Sequence, residues 1–210
     1  MLCIAARAEA DEDVERALAA GRARATRGDV VAQFSLGSLL YYGSDDTAEA
    51  LSWFRKAAGR GYAPAEFQIG QLYEFGFGVP RDDRRSFEWY RKAARHGSAP
   101  AARVVGDFYR RGRGIDVDAA QAVRWYRRAA EGDDLRGQYQ LAQMYFEGTG
   151  VMRDYASAYV WFDMAAGQTP LLDNQKAILE LRNIAAARMS PEALAGAERR
   201  ARESRRTVQR

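Results

Sequence analysis

Four tryptophans, Trp53, Trp89, Trp125 and Trp161, stand 36 residues apart and are the only tryptophans among the 210 residues of the chain. A fixed period of this length marks an array in which each unit buries a face against the next. Other residues keep the same step. Ala57-Ala58, Ala93-Ala94, Ala129-Ala130 and Ala165-Ala166 follow the tryptophans, while Leu36-Gly37, Ile69-Gly70, Val105-Gly106 and Leu141-Ala142 precede them. Only the first step of the latter series is shorter, at 33 residues, which removes three residues from the internal turn of the first unit.

Each unit reads as two short helices. In the second, Ala122, Trp125, Tyr126, Ala129 and Ala130 form one apolar stripe at 3.6 residues per turn. Ala50, Trp53, Phe54, Ala57 and Ala58 repeat it, as do Ala158, Trp161, Phe162, Ala165 and Ala166. Arg55, Lys56, Arg91, Lys92, Arg127 and Arg128 fall on the other faces and suit solvent. The first helix carries Phe67, Ile69, Gly70, Leu72 and Tyr73 in one unit and Val104, Val105, Gly106, Phe108 and Tyr109 in the next. A glycine inside a helix costs about 1 kcal/mol relative to alanine. Its return at Gly37, Gly70 and Gly106, with Ala142 in the fourth slot, places this position against the partner helix, where the backbones approach and no side chain fits.

Between the helices stand Gly76-Phe77-Gly78-Val79, Gly112-Arg113-Gly114-Ile115 and Gly148-Thr149-Gly150-Val151. No strand precedes them, so they lack the context of a phosphate-binding loop. They read instead as turns in which glycine takes positive φ and Val or Ile returns to the core. Pro64 and Pro100 open first helices, where a missing N–H does no harm.

The motifs Leu/Ile-Gly-x-x-Tyr, Gly-x-Gly-Val, Trp-Tyr/Phe and Ala-Ala at this period resemble the Sel1-like repeat family, a relative of the tetratricopeptide repeat, from about Gly28 to Gly167. The first unit departs by losing Gly-x-Gly-Val around Gly43-Ser44. The resemblance implies an all-α fold, a right-handed α-solenoid of four helix-turn-helix repeats over 28–60, 61–96, 97–131 and 132–167. An N-terminal segment with a capping helix (1–27) would precede them, and C-terminal capping helices with a basic tail (168–210) would follow. A terminal repeat otherwise exposes its apolar side. The alanine-rich stretch Asp13 to Arg27 suits the first cap. After the Thr169-Pro170 break, Asp173 caps a helix to about Arg188, and Ser190-Pro191-Glu192 has the form of an N-cap.

The inventory for catalysis is thin. His96 is the only histidine and Cys3 the only cysteine, which supports neither a His/Cys metal cluster nor a Ser-His-Asp arrangement and excludes a disulfide within the chain. His96, just before Gly97, reads as a solvated turn residue. Asp82-Asp83 and Asp133-Asp134 flank helix starts, where acids interact favourably with the dipole. No catalytic residue, metal ligand or cofactor is expected. A hydrolase with a carboxylate site is the alternative. Some Sel1-like proteins are cysteine-rich and linked to β-lactam binding or hydrolysis, but this chain lacks the cysteine pairing.

The formal charge of +4 is local. Ala197 to Arg210 holds six arginines against Glu198 and Glu203, 6 − 2 = +4, so the rest sums to zero. A neutral body with a basic end is not the footprint of a nucleic-acid-binding fold. The segment reads as a solvated tail, with docking to anionic lipid or nucleic acid as the weaker alternative. No apolar run reaches the 18 residues of a membrane-spanning helix. Met1 to Ala6 is apolar and Ala8-Glu9-Ala10 has the small-x-small form of a signal-peptidase site, yet a basic n-region is missing. Two readings stand: the end of a truncated signal peptide, hence a periplasmic or secreted protein, or the frayed N-terminus of a cytoplasmic one.

The resemblance implies a non-catalytic interaction scaffold or adaptor, in bacterial signalling or envelope regulation. Its first helices would line a concave face that takes another protein or a peptide, with the chain itself a monomer. The polar positions beside the buried ones are Ser35 and Ser38, Gln68 and Gln71, Asp107 and Arg110, and Gln140 and Gln143. Their amides suit hydrogen bonding to a peptide backbone. Arg110, Arg111 and Arg113 form a basic cluster that fits an acidic partner or a solvated turn.

Overall fold

The computed structural model describes residues 19–43, 47–168 and 172–208, and no strand occurs among them. A helix α1 covers 19–26. Ten more follow: α2 (Val30–Gly43), α3 (Thr47–Ala58), α4 (Ala63–Phe75), α5 (Asp83–Arg95), α6 (Ala99–Arg111), α7 (Ala119–Glu131), α8 (Leu135–Glu147), α9 (Tyr155–Gln168), α10 (Leu172–Ala186) and α11 (Pro191–Val208). The apolar N-terminal hexapeptide, the Ser44 turn, the Thr169-Pro170 break and the side chain of Asp173 lie outside the described residues.

Helix starts follow local chemistry. Asp29, Ser98 and Asp134 accept the N–H of Ala32, Ala101 and Gly137 at the first helices of their repeats. Asp82, Asp118 and Asp154 do the same for Arg85, Gln121 and Ser157 at the second. Each such cap is worth about 1 kcal/mol. Ser190 caps α11 through the N–H of Ala193. Tyr62 stands in a capping slot without a side-chain bond, and α4 relies on Pro64 in its first turn. The Gly-x-Gly turns have the positive φ the sequence requires, for example +74° at Gly76 and +67° at Gly78.

The chain divides into two compact units, up to His96 and from Gly97. In unit 1, α2 pairs with α3 and α4 with α5, and α3 packs on α4. Its core holds Leu36, Phe54, Ile69, Leu72 and Tyr73. In unit 2, α6 pairs with α7 and α8 with α9, α7 packs on α8, and both α10 and α11 pack on α9. There Val123, Tyr126, Leu141 and Met144 form one cluster, and Phe162, Ile178, Ala185, Ala197 and Ala201 another.

The recurring glycine lies against the partner helix, chiefly against a ring, and only at Gly37 does a partner backbone atom, the Ala50 carbonyl oxygen, also come within 3.1 Å. A Cβ at Gly37, Gly70 or Gly106 would stand 2.8, 2.9 or 2.6 Å from the ring of Phe54, Tyr90 or Tyr126. These rings follow the tryptophans in sequence and are almost fully buried, whereas Trp89, Trp125 and Trp161 are only half-buried. The tryptophans that announce the repeat are therefore not its most buried residues. Lys56 and Lys92 lie 3.7 and 4.1 Å over the indoles of Trp53 and Trp89, so these cations, while exposed to solvent, also roof an aromatic face.

Two expectations are corrected by packing. His96 is not merely solvated: its Nδ1 lies 2.7 Å from Oε2 of Glu66, which is 2% exposed. The homologous residues Gln33 and Gln138 instead donate to the carbonyls of Ala25 and Ala130. A carboxylate cannot donate to a carbonyl, so Glu66 needs the imidazole. The C-terminal arginines from Arg199 to Arg206, expected as part of a solvated tail, belong to α11, while Arg210 lies outside the described residues. Ala197 and Ala201 are buried, and Arg205 forms a 2.8 Å ion pair with Asp163 Oδ2, without hydrogen-bond alignment. Arg182 of α10 donates to Asp163 Oδ1 at 2.9 Å, so one buried carboxylate joins α9, α10 and α11.

Candidate functional site

The register Leu36, Ile69, Val105, Leu141 lets the first helices be compared slot by slot. Those four residues are buried, and so are their neighbours Gly37, Gly70, Gly106 and Ala142. Other slots are exposed in every repeat. One holds Val31, Pro64, Pro100 and Arg136; another, at the last turn, holds Tyr42, Phe75, Arg111 and Glu147. Of the polar residues singled out from sequence, Ser35 and Arg110 are exposed and the other six are half-buried.

In unit 1, Ser35 and Ser38 lie on α2 and Gln68 and Gln71 on α4. Ser35 is exposed and the other three are half-buried. Around them the surface is apolar. Val31, Leu39, Tyr42 and Phe75 are exposed, and Phe75 meets Phe77, also exposed, at 5.7 Å between centroids. Ser35, Val31 and Leu39 line a pocket of about 350 Å³ between α1 and α2, with Arg22 and Arg24 at its edge. Arg24 is paired with Asp29 at 2.6 Å.

In unit 2 the homologous positions hold Val104 and Asp107 on α6 and Gln140 and Gln143 on α8, so only Asp107 is charged. Asp107 accepts from Arg103 Nη1 at 3.1 Å and from the Tyr126 hydroxyl at 2.8 Å, and Arg110 Nε donates to that hydroxyl at 3.0 Å. Burial, with the Asp107 charge beside it, pushes the Tyr126 phenol well above its usual range, so Tyr126 stays a neutral donor to Asp107. Arg103 also reaches Asp134 Oδ1 at 3.3 Å, an ion pair without hydrogen-bond alignment. Gln143 donates to Tyr139 Oη at 2.9 Å. Gln140 lines a pocket of about 460 Å³ together with Arg103, Asp107, Arg111, Arg136 and Ile178. Asp107 and Arg110 thus belong to an internal network, while Gln140 faces open space. Of the basic cluster at the end of α6, only Arg111 lines the pocket; Arg113 stacks over Phe108 at 4.7 Å. Sequence offsets had not singled out Arg103 or Arg136. Setting Arg136 beside Pro64 and Pro100 in the repeat register would have marked it.

Among the described residues, no group of three or more His, Cys, Asp or Glu side chains could hold a metal ion, and no helix is long and apolar enough to cross a membrane. What the surface offers within each unit is a set of outward slots on repeated helical hairpins.

The Sel1 repeat pattern matches residues 30–62, 63–98, 99–134 and 135–169. The chain belongs to the Sel1-repeat family. Its fold is the α-solenoid of that family, whose members are generally protein-interaction scaffolds. It is similar, at 35% identity and a TM-score of 0.72, to a protective antigen of uropathogenic Escherichia coli strains that displays an SLR fold. That match covers 89% of this chain and 41% of the antigen, so the chain spans about two fifths of the antigen's length. A Sel1 repeat protein from Oxalobacter formigenes is 30% identical, with a TM-score of 0.66, over 80% of this chain and 76% of that one. No curated protein matches the chain.

Proposed function

We propose that this Sel1-repeat chain is a non-catalytic scaffold that holds a segment of another protein against the first helices of its repeats, in bacterial signalling or envelope regulation. One observation carries the reading. The buried slots of α2, α4, α6 and α8 repeat, whereas the exposed slots change from Val31 to Arg136 and from Tyr42 to Glu147. A frame kept constant beneath a varied surface suits recognition of a particular partner. Ser35, Ser38, Gln68, Gln71, Gln140 and Gln143 would supply hydrogen bonds to the partner's backbone, and Asp107 and Arg110 would hold the frame beneath them. The catalytic reading draws no support from the acids, since Asp82, Asp118, Asp134 and Asp154 are engaged as helix caps.

The test is capture of a partner from host lysate by the wild-type chain and by a Gln68/Gln71/Gln140/Gln143→Glu variant. The reading expects one protein retained by the wild type and lost by the variant, with matching circular dichroism. Equal capture by both would reject the first helices as the site.

A further inference from the structure

We infer that the pocket among α6, α8 and α10 of unit 2 selects an acidic segment of the partner, a carboxylate side chain followed by an apolar one. The inference rests on the scaffold reading and names the chemistry of one of its subsites. The pocket encloses about 460 Å³, enough for a few side chains, and its basic residues are Arg103, Arg111 and Arg136. The acids near it are already engaged. Asp107 takes Arg103 and the Tyr126 hydroxyl, and Asp134 faces Arg103 while capping α8. Arg111 and Arg136 are exposed and make no hydrogen bond or ion pair among the described residues. Two guanidinium groups therefore stand at the rim outside any ion pair among the described residues, above a wall that includes Leu135, Tyr139 and Ile178.

A planar guanidinium fork matches a carboxylate at two points. A single exposed pair contributes little, so discrimination comes from two arginines acting together with an apolar contact. A nucleic-acid strand fits less well, because backbone recognition needs cations along its path. Here Asp107 lies among the arginines of the same pocket. The matching slots of unit 1 hold Phe67, Phe75 and Pro64 in place of Arg103, Arg111 and Arg136, so the acidic preference belongs to unit 2 alone.

The experiment is selection of displayed random peptides on the full chain. Fluorescence anisotropy then follows a labelled winner, its Glu→Gln twin and a labelled oligothymidylate. Enrichment of Asp or Glu beside Leu, Ile or Phe is expected. R111Q/R136Q should weaken the winner roughly tenfold, about 1.4 kcal/mol, and the Gln twin should lose as much. R111K/R136K should fall between the wild type and R111Q/R136Q, since lysine keeps the charge but not the two-point fork, and all variants should melt like the wild type because both arginines are exposed. Winners without acids, indifferent to R111Q/R136Q yet lost in the Gln68/Gln71/Gln140/Gln143→Glu variant, would overturn the acidic preference and leave the scaffold reading standing. No enrichment at all would overturn both. Oligothymidylate that displaces the peptide at equal concentration would replace the acidic peptide with nucleic acid.

Discussion

Units 1 and 2 set the same backbone slots to opposite chemistry. At the last turn of the first helix, unit 1 presents Tyr42 and Phe75 where unit 2 presents Arg111 and Glu147. Unit 1 has Phe34 and Phe67 packed on Phe54 and Tyr90, and unit 2 keeps such a pair in Tyr139 beside Phe162 but has Arg103, tied to two aspartates, at the same slot of its other repeat. Beneath these differences the buried residues barely change. A repeated hairpin fixes which side chains must be apolar, because one face of each helix packs on its partner, and leaves the outward slots free. The surface of such a protein is therefore read by comparing repeats with one another, not by searching for a motif.

The largest expected effects fall on what the units share. Gly70→Leu and Gly106→Leu each force a side chain into a buried ring, Tyr90 in unit 1 and Tyr126 in unit 2. Overpacking of this kind costs about 1–3 kcal/mol, and the overlap at the Cβ itself puts both near the upper end. Urea unfolding should give similar losses for the two variants. A loss confined to one of them would mean that the hairpins are not equivalent.

Next comes a difference between the units. Unit 2 ends in α10 and α11, fastened through Asp163 to Arg182 and Arg205. Asp163→Ala leaves those arginines without their buried partner. The cost should be about 2 kcal/mol, below the 3–5 kcal/mol of a fully buried pair because both guanidinium groups keep some water. Hydrogen exchange should quicken in α10 and α11 and stay unchanged in α2 to α5. Uniform quickening would show that the units unfold as one.

Exposed slots should matter little to stability. Tyr42→Ser with Phe75→Ser in unit 1, and R111Q/R136Q in unit 2, should each stay within about 0.5 kcal/mol of the wild type. A large loss from the unit 1 pair would mean that its aromatic row holds the fold and is not free for a partner.

Much of this was legible from residue spacing. The tryptophan period gave the hairpins, the stripe Ala122-Trp125-Tyr126-Ala129-Ala130 gave the second-helix face, and the Gly37 series gave a tight contact between helices. What remained hidden depends on residues far apart in sequence. The charge of the last fourteen residues suggested a tail because Asp163, the acid that receives Arg205, is far upstream. His96 suggested a turn because its partner, Glu66, stands where the first and fourth repeats place an amide and the third an alanine. Eight polar candidates followed from their offset beside the buried slots, yet that offset could not tell Asp107, locked to Tyr126 and Arg103, from Gln140, which faces a pocket. Periodicity reports which face a residue occupies; whether its polar atoms are already engaged is decided by neighbours that periodicity does not name.

The smallest effect concerns the junction that leads into each first helix. Gly28, Gly61 and Gly97 hold φ of +91°, +75° and +95° there, and the fourth junction holds Asp133 at +60°, the one non-glycine residue with positive φ among those described. Aspartate enters this region more readily than most residues, which pay about 1–2 kcal/mol. Asp133→Gly removes the residual strain but loosens the unfolded chain by about 0.4–1 kcal/mol, so the two should nearly cancel. Asp133→Ala keeps the strain and loses the short polar side chain, and should cost about 1 kcal/mol. In unit 1, a Cβ on Gly61 would rest 3.4 Å from the His96 ring, an ordinary contact, so Gly61→Ala should lose a similar amount through φ alone. Melting curves ranking Gly level with Asp at position 133, and Ala below both, would establish one backbone requirement at both junctions. An alanine tolerated at 133 but not at 61 would place the requirement at the His96 contact, not in the turn.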